Sequence, residues 1–210
     1  MSKKINRITP LNEISNMAGL TVTTALTDLK VLFNDLKEVY FKAGEIKTSD
    51  LGSEALTMDM ELPALDDGVT FDTGSADVTR VRITTKAVWT SKASKGAPDI
   101  TFQVASVAGV VNDLLMENKK TIASATNIIN GKTYKGAAYS LSPKKVTGAL
   151  LMQSEDRQTI IILPNVEMYA NFVAADGDNP AYFNVAVTPL ENSEGADIFI
   201  LSETVGAKPS

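Results

Sequence analysis

From Val69 to Ser202 the sequence is built mostly of short runs in which apolar and polar residues alternate, separated by clusters of turn-forming residues. Successive side chains of a strand point to opposite faces, so a period of two belongs to sheets with one buried face. Asp66-Asp67-Gly68 opens a turn before Val69-Thr70-Phe71. Thr79, Val81 and Ile83 alternate with Arg80, Arg82 and Thr84, which predicts a half-buried strand that Lys86–Thr90 continues or pairs with. The stretch from Ser91 to Asp99, with Gly96 and Pro98, reads as a polar loop, and Ile100, Phe102 and Val104 mark the next strand. Val146–Met152 and Gln158–Leu163 flank Ser154-Glu155-Asp156-Arg157 as a hairpin would, and Val166–Val173 forms a further strand after Pro164. Asp176-Gly177-Asp178-Asn179-Pro180 is a dense turn cluster. Tyr182–Val187 and Asp197–Ser202 complete the strands, and residues 203–210 are expected to form a loose, flexible tail.

One segment breaks the period of two. Val107, Val110, Val111, Leu114 and Leu115 fall on one helical stripe, with Ser106 placed to cap it and Lys119 and Lys120 suited to its C-terminal end. Asn112, Asp113 and Glu117 give that helix a polar outer face, so a helix over about 105–118 should flank a sheet.

The first third is open to two readings. Leu26, Leu29, Phe33, Leu36 and Tyr40 fit a helical stripe within 24–42. Leu29–Phe33 and Lys37–Lys42 fit equally well as two strands turned at Asn34-Asp35. Segment 44–68 is rich in Gly, Ser, Thr, Asp and Glu, with Leu56, Met58, Met60 and Leu62 spaced by two, and reads as a long extended loop or hairpin. Loops of that length in compact domains are usually functional or disordered. Interface and core remain equal alternatives for Met58 and Met60.

The fold class expected is therefore mainly β: a β-sandwich or barrel-like sheet with one flanking helix. The 210 residues are read as a single β domain whose N-terminal segment 1–43 is of uncertain structure. A chain of this length can bury roughly 70% of its extended surface and needs no staples.

The same sequence contains no histidine and no cysteine. Ser-His-Asp and Cys-His nucleophile systems, ordinary zinc sites and disulfide frameworks are thereby excluded. No phosphate-binding glycine loop is present. Asp66-Asp67 is better read as a turn opener than as an acid/base pair. Asp176-x-Asp178-Asn179 lacks the later ligands of a calcium loop. The expectation is a protein that is not an enzyme, with no catalytic residue, cofactor or metal. Trp89, the only tryptophan, reads as core, with an interface anchor as the alternative; Lys144-Lys145 reads as a solvated strand entry. The basic start through Arg7 is followed by no apolar stretch of the secretory kind, and no apolar run approaches the ~20 residues that span a bilayer. Folding in a reducing cytoplasm is expected, with no membrane partner. A net charge of -5 disfavours tight nucleic-acid binding by charge alone.

The order of elements resembles that of bacteriophage tail tube (major tail) proteins and related contractile-system tube proteins. The likeness is carried by Leu65-Asp66-Asp67-Gly68-Val69-Thr70-Phe71 leading into Asp77–Ile83, and by Ile100–Val104 running into the helix Val107–Met116. Leu163–Tyr169 followed by Ala181–Leu190 carries the rest. The resemblance implies a structural virion protein that self-assembles into stacked hexameric rings, forming the tube through which DNA leaves without specific binding. It implies edge strands paired between copies and an acidic lumen that does not grip phosphate. It places the 44–68 loop against a neighbouring subunit, which makes Leu56, Met58, Met60, Leu62, Asp66 and Asp67 the candidate inter-subunit contacts. Tape-measure, sheath or baseplate proteins are the further partners implied, and the virion tail the location. The alternatives are another phage β-module (baseplate, connector or capsid decoration) and a carbohydrate-binding or adhesin sandwich. Against the last, only 6% of residues are aromatic.

Overall fold

The computed structural model describes residues 33, 35–52, 55–65, 69–126, 128–175 and 180–203. The chain divides after Leu32, and every described residue lies in the unit Phe33–Ser210. Residues 24–32, Asp66, Asp67, the 176–179 cluster and the tail from 204 lie outside the described residues, as do the expectations placed on them.

The protein is mainly β, antiparallel throughout its described ladders, with one α-helix among the described residues. The strands are β1 (Leu36–Lys42), β2 (Met60–Leu62), β3 (Thr70–Asp72), β4 (Asp77–Arg82), β5 (Val88–Ser94) and β6 (Asp99–Val104). Helix α1 (Gly109–Leu115) follows, then β7 (Glu117–Thr126), β8 (Thr133–Ser140), β9 (Val146–Ser154), β10 (Thr159–Val173), β11 (Tyr182–Pro189) and β12 (Phe199–Ser202). Eight of them make one sheet in the order β2-β1-β9-β10-β11-β6-β3, with β12 beside the first part of β10. β4–β5 and β7–β8 stand apart as two-stranded ribbons.

Alternation explains the large sheet. Val39 and Phe41, Ile100, Phe102 and Val104, and Phe183, Val185 and Val187 each send every second side chain inward, into one core shared with Leu62, Leu150 and Met168. Val111 and Leu115 of α1 join the same core. The sheet is curled but does not close into a barrel. The segment just after β2 comes alongside β6, where Ala64 bridges Val104, Leu65 N–H donates to Gln103 O (2.9 Å) and Ala105 N–H donates to Pro63 O (2.9 Å).

The hairpin expected around residues 154–157 is present, with Ser154 Oγ accepting the Thr159 N–H (3.1 Å). Beyond it, one continuous strand replaces the two expected. β10 runs through Pro164, and the register slips between Leu163 and Val166. Proline cannot donate to the ladder, and the slip switches which parity faces inward. The Pro164 carbonyl instead accepts the Ile46 N–H (2.8 Å).

Other expectations are corrected. Residues 36–42 form a strand, so the helical stripe through Leu36 and Tyr40 does not exist. The helix spans 109–115, not 105–118. Its N-cap is Ala108, while the Ser106 hydroxyl accepts the Ala108 N–H (3.2 Å) just upstream. Val107 and Val110 are exposed. Lys119 and Lys120 belong to β7 and not to a helix end. The expected polar loop from Ser91 begins only after Ser94, because Ser91–Ser94 pair with Asp77–Arg80.

Segment 44–58 packs onto a core cluster of its own. Ala149-Leu150-Leu151-Met152 and Ile160-Ile161-Ile162-Leu163 are apolar without a break, as strands buried on both faces are. Their outward members, with Ile46, form a second cluster on the outer face, against which Leu51, Leu56 and Met58 pack. Asn192, itself buried, fastens this layer. Its Nδ2 donates to Ile46 O (2.9 Å), and its Oδ1 accepts the N–H groups of Glu194 (3.0 Å) and Ala196 (2.9 Å).

Candidate assembly surface

The two ribbons carry a large share of the exposed apolar side chains, besides Val107, Val110, Phe172 and Ile200 elsewhere. In β4–β5, Val78 pairs with Ala93, Arg80 with Ser91, Thr79 with Lys92 and Val81 with Thr90. Cross-strand partners share a face. Each face of the ribbon therefore mixes apolar and cationic groups, and every residue of both strands is exposed. Thr79, Val81 and Ile83 alternate as a half-buried strand does, yet neither face is covered. The β4–β5 register shifts between Val81 and Arg82, which leaves Trp89 as an extra residue on β5. Trp89 is 73% exposed, so its assignment to the core is overturned. The bulge and the missing second layer put it outside.

At the root of this ribbon Gly74 and Gly96 hold two chain segments together. Gly74 has a φ of 83°. A side chain at either glycine would collide with the other segment's backbone, at Ala97 O and Ser75 O respectively.

The β7–β8 ribbon escaped sequence reading. Its strands are rich in Ala, Ser, Thr and Gly, and two register shifts, between Asn118 and Lys120 and between Ile122 and Ala125, break the period. Ile122 and Tyr134 are exposed on it, and Leu141 just beyond is 90% exposed. Tyr139 Oη donates to Asp113 Oδ1 (3.0 Å), tying the ribbon's base to the helix; burial, then this carboxylate, raises the phenol's pKa.

Charge is segregated in the same way. Residues 77–95 hold Arg80, Arg82, Lys86, Lys92 and Lys95 against Asp77 alone, and 117–140 hold Lys119, Lys120, Lys132 and Lys135 against Glu117 alone. Two basic ribbons thus project from an acidic body.

The candidate contact residues fall in different places. Leu62 is 2% exposed and points into the main core, with Met60 half-buried against it. Leu56 and Met58 pack on the outer cluster. A spacing of two did not keep these four on one face, because the chain passes from the outer layer to the inner one between Met58 and Met60. A groove of about 420 Å³ opens here, floored by Leu56, Met58, Met60 and Leu151 and edged by the exposed carboxylates of Asp59 and Glu61. Beside it Tyr40 Oη donates to Glu38 (2.6 Å), which lowers the pKa of Glu38 and pushes the Tyr40 phenol up to about 12. Two further carboxylates anchor the loop beneath. Glu45 accepts from Ser193 Oγ (2.7 Å) and N (2.8 Å), and Glu194 from Thr48 N (2.8 Å) and Oγ1 (2.7 Å), each with its pKa lowered by those bonds. Lys144 donates to Asp113 O (2.5 Å) and Lys145 pairs with Glu167, so both are tied to neighbours.

Among the described residues no three carboxylates are grouped to hold a metal ion, and no helix is long and apolar enough to cross a membrane. What the ribbons present is exposed apolar and cationic side chains. Compared with known families and curated proteins, the chain matches no family model and no curated sequence.

Proposed function

We propose that this chain is a structural, non-enzymatic subunit that assembles with copies of itself into a tube of the phage-tail type, serving as the conduit for a viral genome. The observation that carries this reading is the pair of ribbons. A two-stranded ribbon is at best marginally stable alone in water. Here two of them hold Val78, Val81, Val88, Trp89, Ile122 and Tyr134 in solvent. Ribbons of neighbouring copies laid edge to edge would satisfy their unpaired backbone groups and cover those side chains. Rings of six, stacking, and contact with tape-measure, sheath or baseplate proteins belong to the same proposal, as does a location in the virion tail.

Negative-stain microscopy of the purified chain tests it. Rings or tubes about 100 Å wide are expected for subunits several strands thick. A chain that stays a monodisperse monomer at high concentration overturns the reading.

The basic charge of the ribbons favours one competitor, because a two-stranded ribbon fits the DNA major groove and its cations can neutralise phosphates. The expected acidic lumen would also need carboxylates from elsewhere than these ribbons. Tight binding of short duplex DNA by the monomer, weakening steeply with salt, would put the nucleic-acid reading first.

A further inference from the structure

The chain presents two surfaces of complementary chemistry, one on the β4–β5 ribbon and one beside β2 at the edge of the large sheet. The first is Trp89, a large apolar side chain exposed on the β4–β5 ribbon. Near it stand Arg82 and Lys86, linked where Arg82 donates to Lys86 O (3.3 Å), and neither is in an ion pair among the described residues. The second is the groove beside β2, with its floor of Leu56, Met58, Met60 and Leu151 and its rim of Asp59 and Glu61. The larger recess nearby is walled mainly by Lys42, Glu45, Ser49 and Asp50 and offers an indole no comparable floor.

We propose that the groove is the socket for Trp89 of the next copy, with Arg82 and Lys86 meeting Asp59 and Glu61 at the rim. Three features support this occupant. The groove, of about 420 Å³, has an apolar floor on which an indole could bury its surface. Methionine makes an adaptable, polarisable floor for an aromatic ring. The signs of charge on the two surfaces are opposite, which steers the encounter and rejects a reversed docking. Plug and socket are different surfaces, so the contact is head-to-tail: it propagates into a ring if the rotation closes and into a filament if it does not. This inference rests on the self-assembly proposed above and names the contact through which it runs.

Because Trp89 is the only tryptophan, its fluorescence reports on the contact directly. On raising the concentration of the full chain, assembly should shift the emission to the blue and protect it from acrylamide. Trp89→Ala should raise the concentration needed for assembly about 30-fold, the scale of a buried aromatic anchor, while Trp89→Phe should restore much of it. Glu61→Lys and Arg82→Glu should each abolish the emission shift, and the double variant should recover it. Unchanged melting of each single variant would show that the fold is intact. If the chain assembles while Trp89 stays open to quencher, or the shift survives Glu61→Lys, the socket is wrong and self-assembly stands. If the chain never assembles, both proposals fall.

Discussion

β6 and β4 carry the same alternating pattern and meet opposite fates. In β6, Ile100, Phe102 and Val104 are at most 2% exposed, with β6 held between β11 and β3 and these side chains in the core that Val111 and Leu115 of α1 join. In β4 and just past it, Val81 and Ile83 are open to solvent on a ribbon that no second layer among the described residues covers. A period of two says that one face is to be covered; it does not say by which molecule. In the body the cover is the chain itself. On the ribbons we attribute it to another copy.

Substitutions can break this contrast. Phe102→Ala should be the most damaging, costing about 3–5 kcal/mol through lost burial and the cavity left behind, whereas Val81→Ala on the ribbon should stay within about 0.5 kcal/mol of the parent. Urea unfolding of the unassembled chain measures both, and comparable losses would mean that the ribbon is covered within the monomer. Asn192→Ala should cost about 1–3 kcal/mol, because it strips the Ile46 carbonyl and two N–H groups of their partner. The same unfolding experiment reads it, and the loss should be confined to the outer layer. The smallest effect is expected from acid. Glu45 and Glu194 have pKa values lowered below the ordinary 4.5. Their contribution is complete above 4.5 and fades as pH falls through the lowered values. NMR amide shifts of Thr48 and Ser193 should therefore move toward loop values below pH 4.5, with the β6 amides unchanged; simultaneous movement would mean that the outer layer does not loosen first.

Legibility in the sequence followed the same division. The strands of the body could be read because Ile100–Val104, Val146–Met152 and Tyr182–Val187 carry large apolar residues at regular spacing between turn signals. The helix is shorter than its apolar stripe predicts because Val107 and Val110 extend the stripe as letters, although neither reaches the core. The β7–β8 ribbon was invisible because Ala123, Ala125, Gly136, Ala137 and Ala138 give no contrast of polarity, and bulges interrupt what contrast there is. Trp89 lies outside against expectation because pattern assigns a face and not a layer. The groove could not be foreseen, since Leu151 comes from β9, far along the chain from Leu56, Met58 and Met60. Its rim residues, Asp59 and Glu61, carry no signal except their exposure.

The pairing of β1 with β9 has a consequence for how the molecule comes into being. Leu36 sits opposite Ser154, and Lys42 opposite Ala149, so the partner of an early strand is synthesised more than a hundred residues later. Closing so long a segment is slow compared with zipping a hairpin. Both ribbons lie inside that interval. They emerge from the ribosome before the strand that completes their platform, so each chain exposes the apolar side chains of its ribbons before the body is complete.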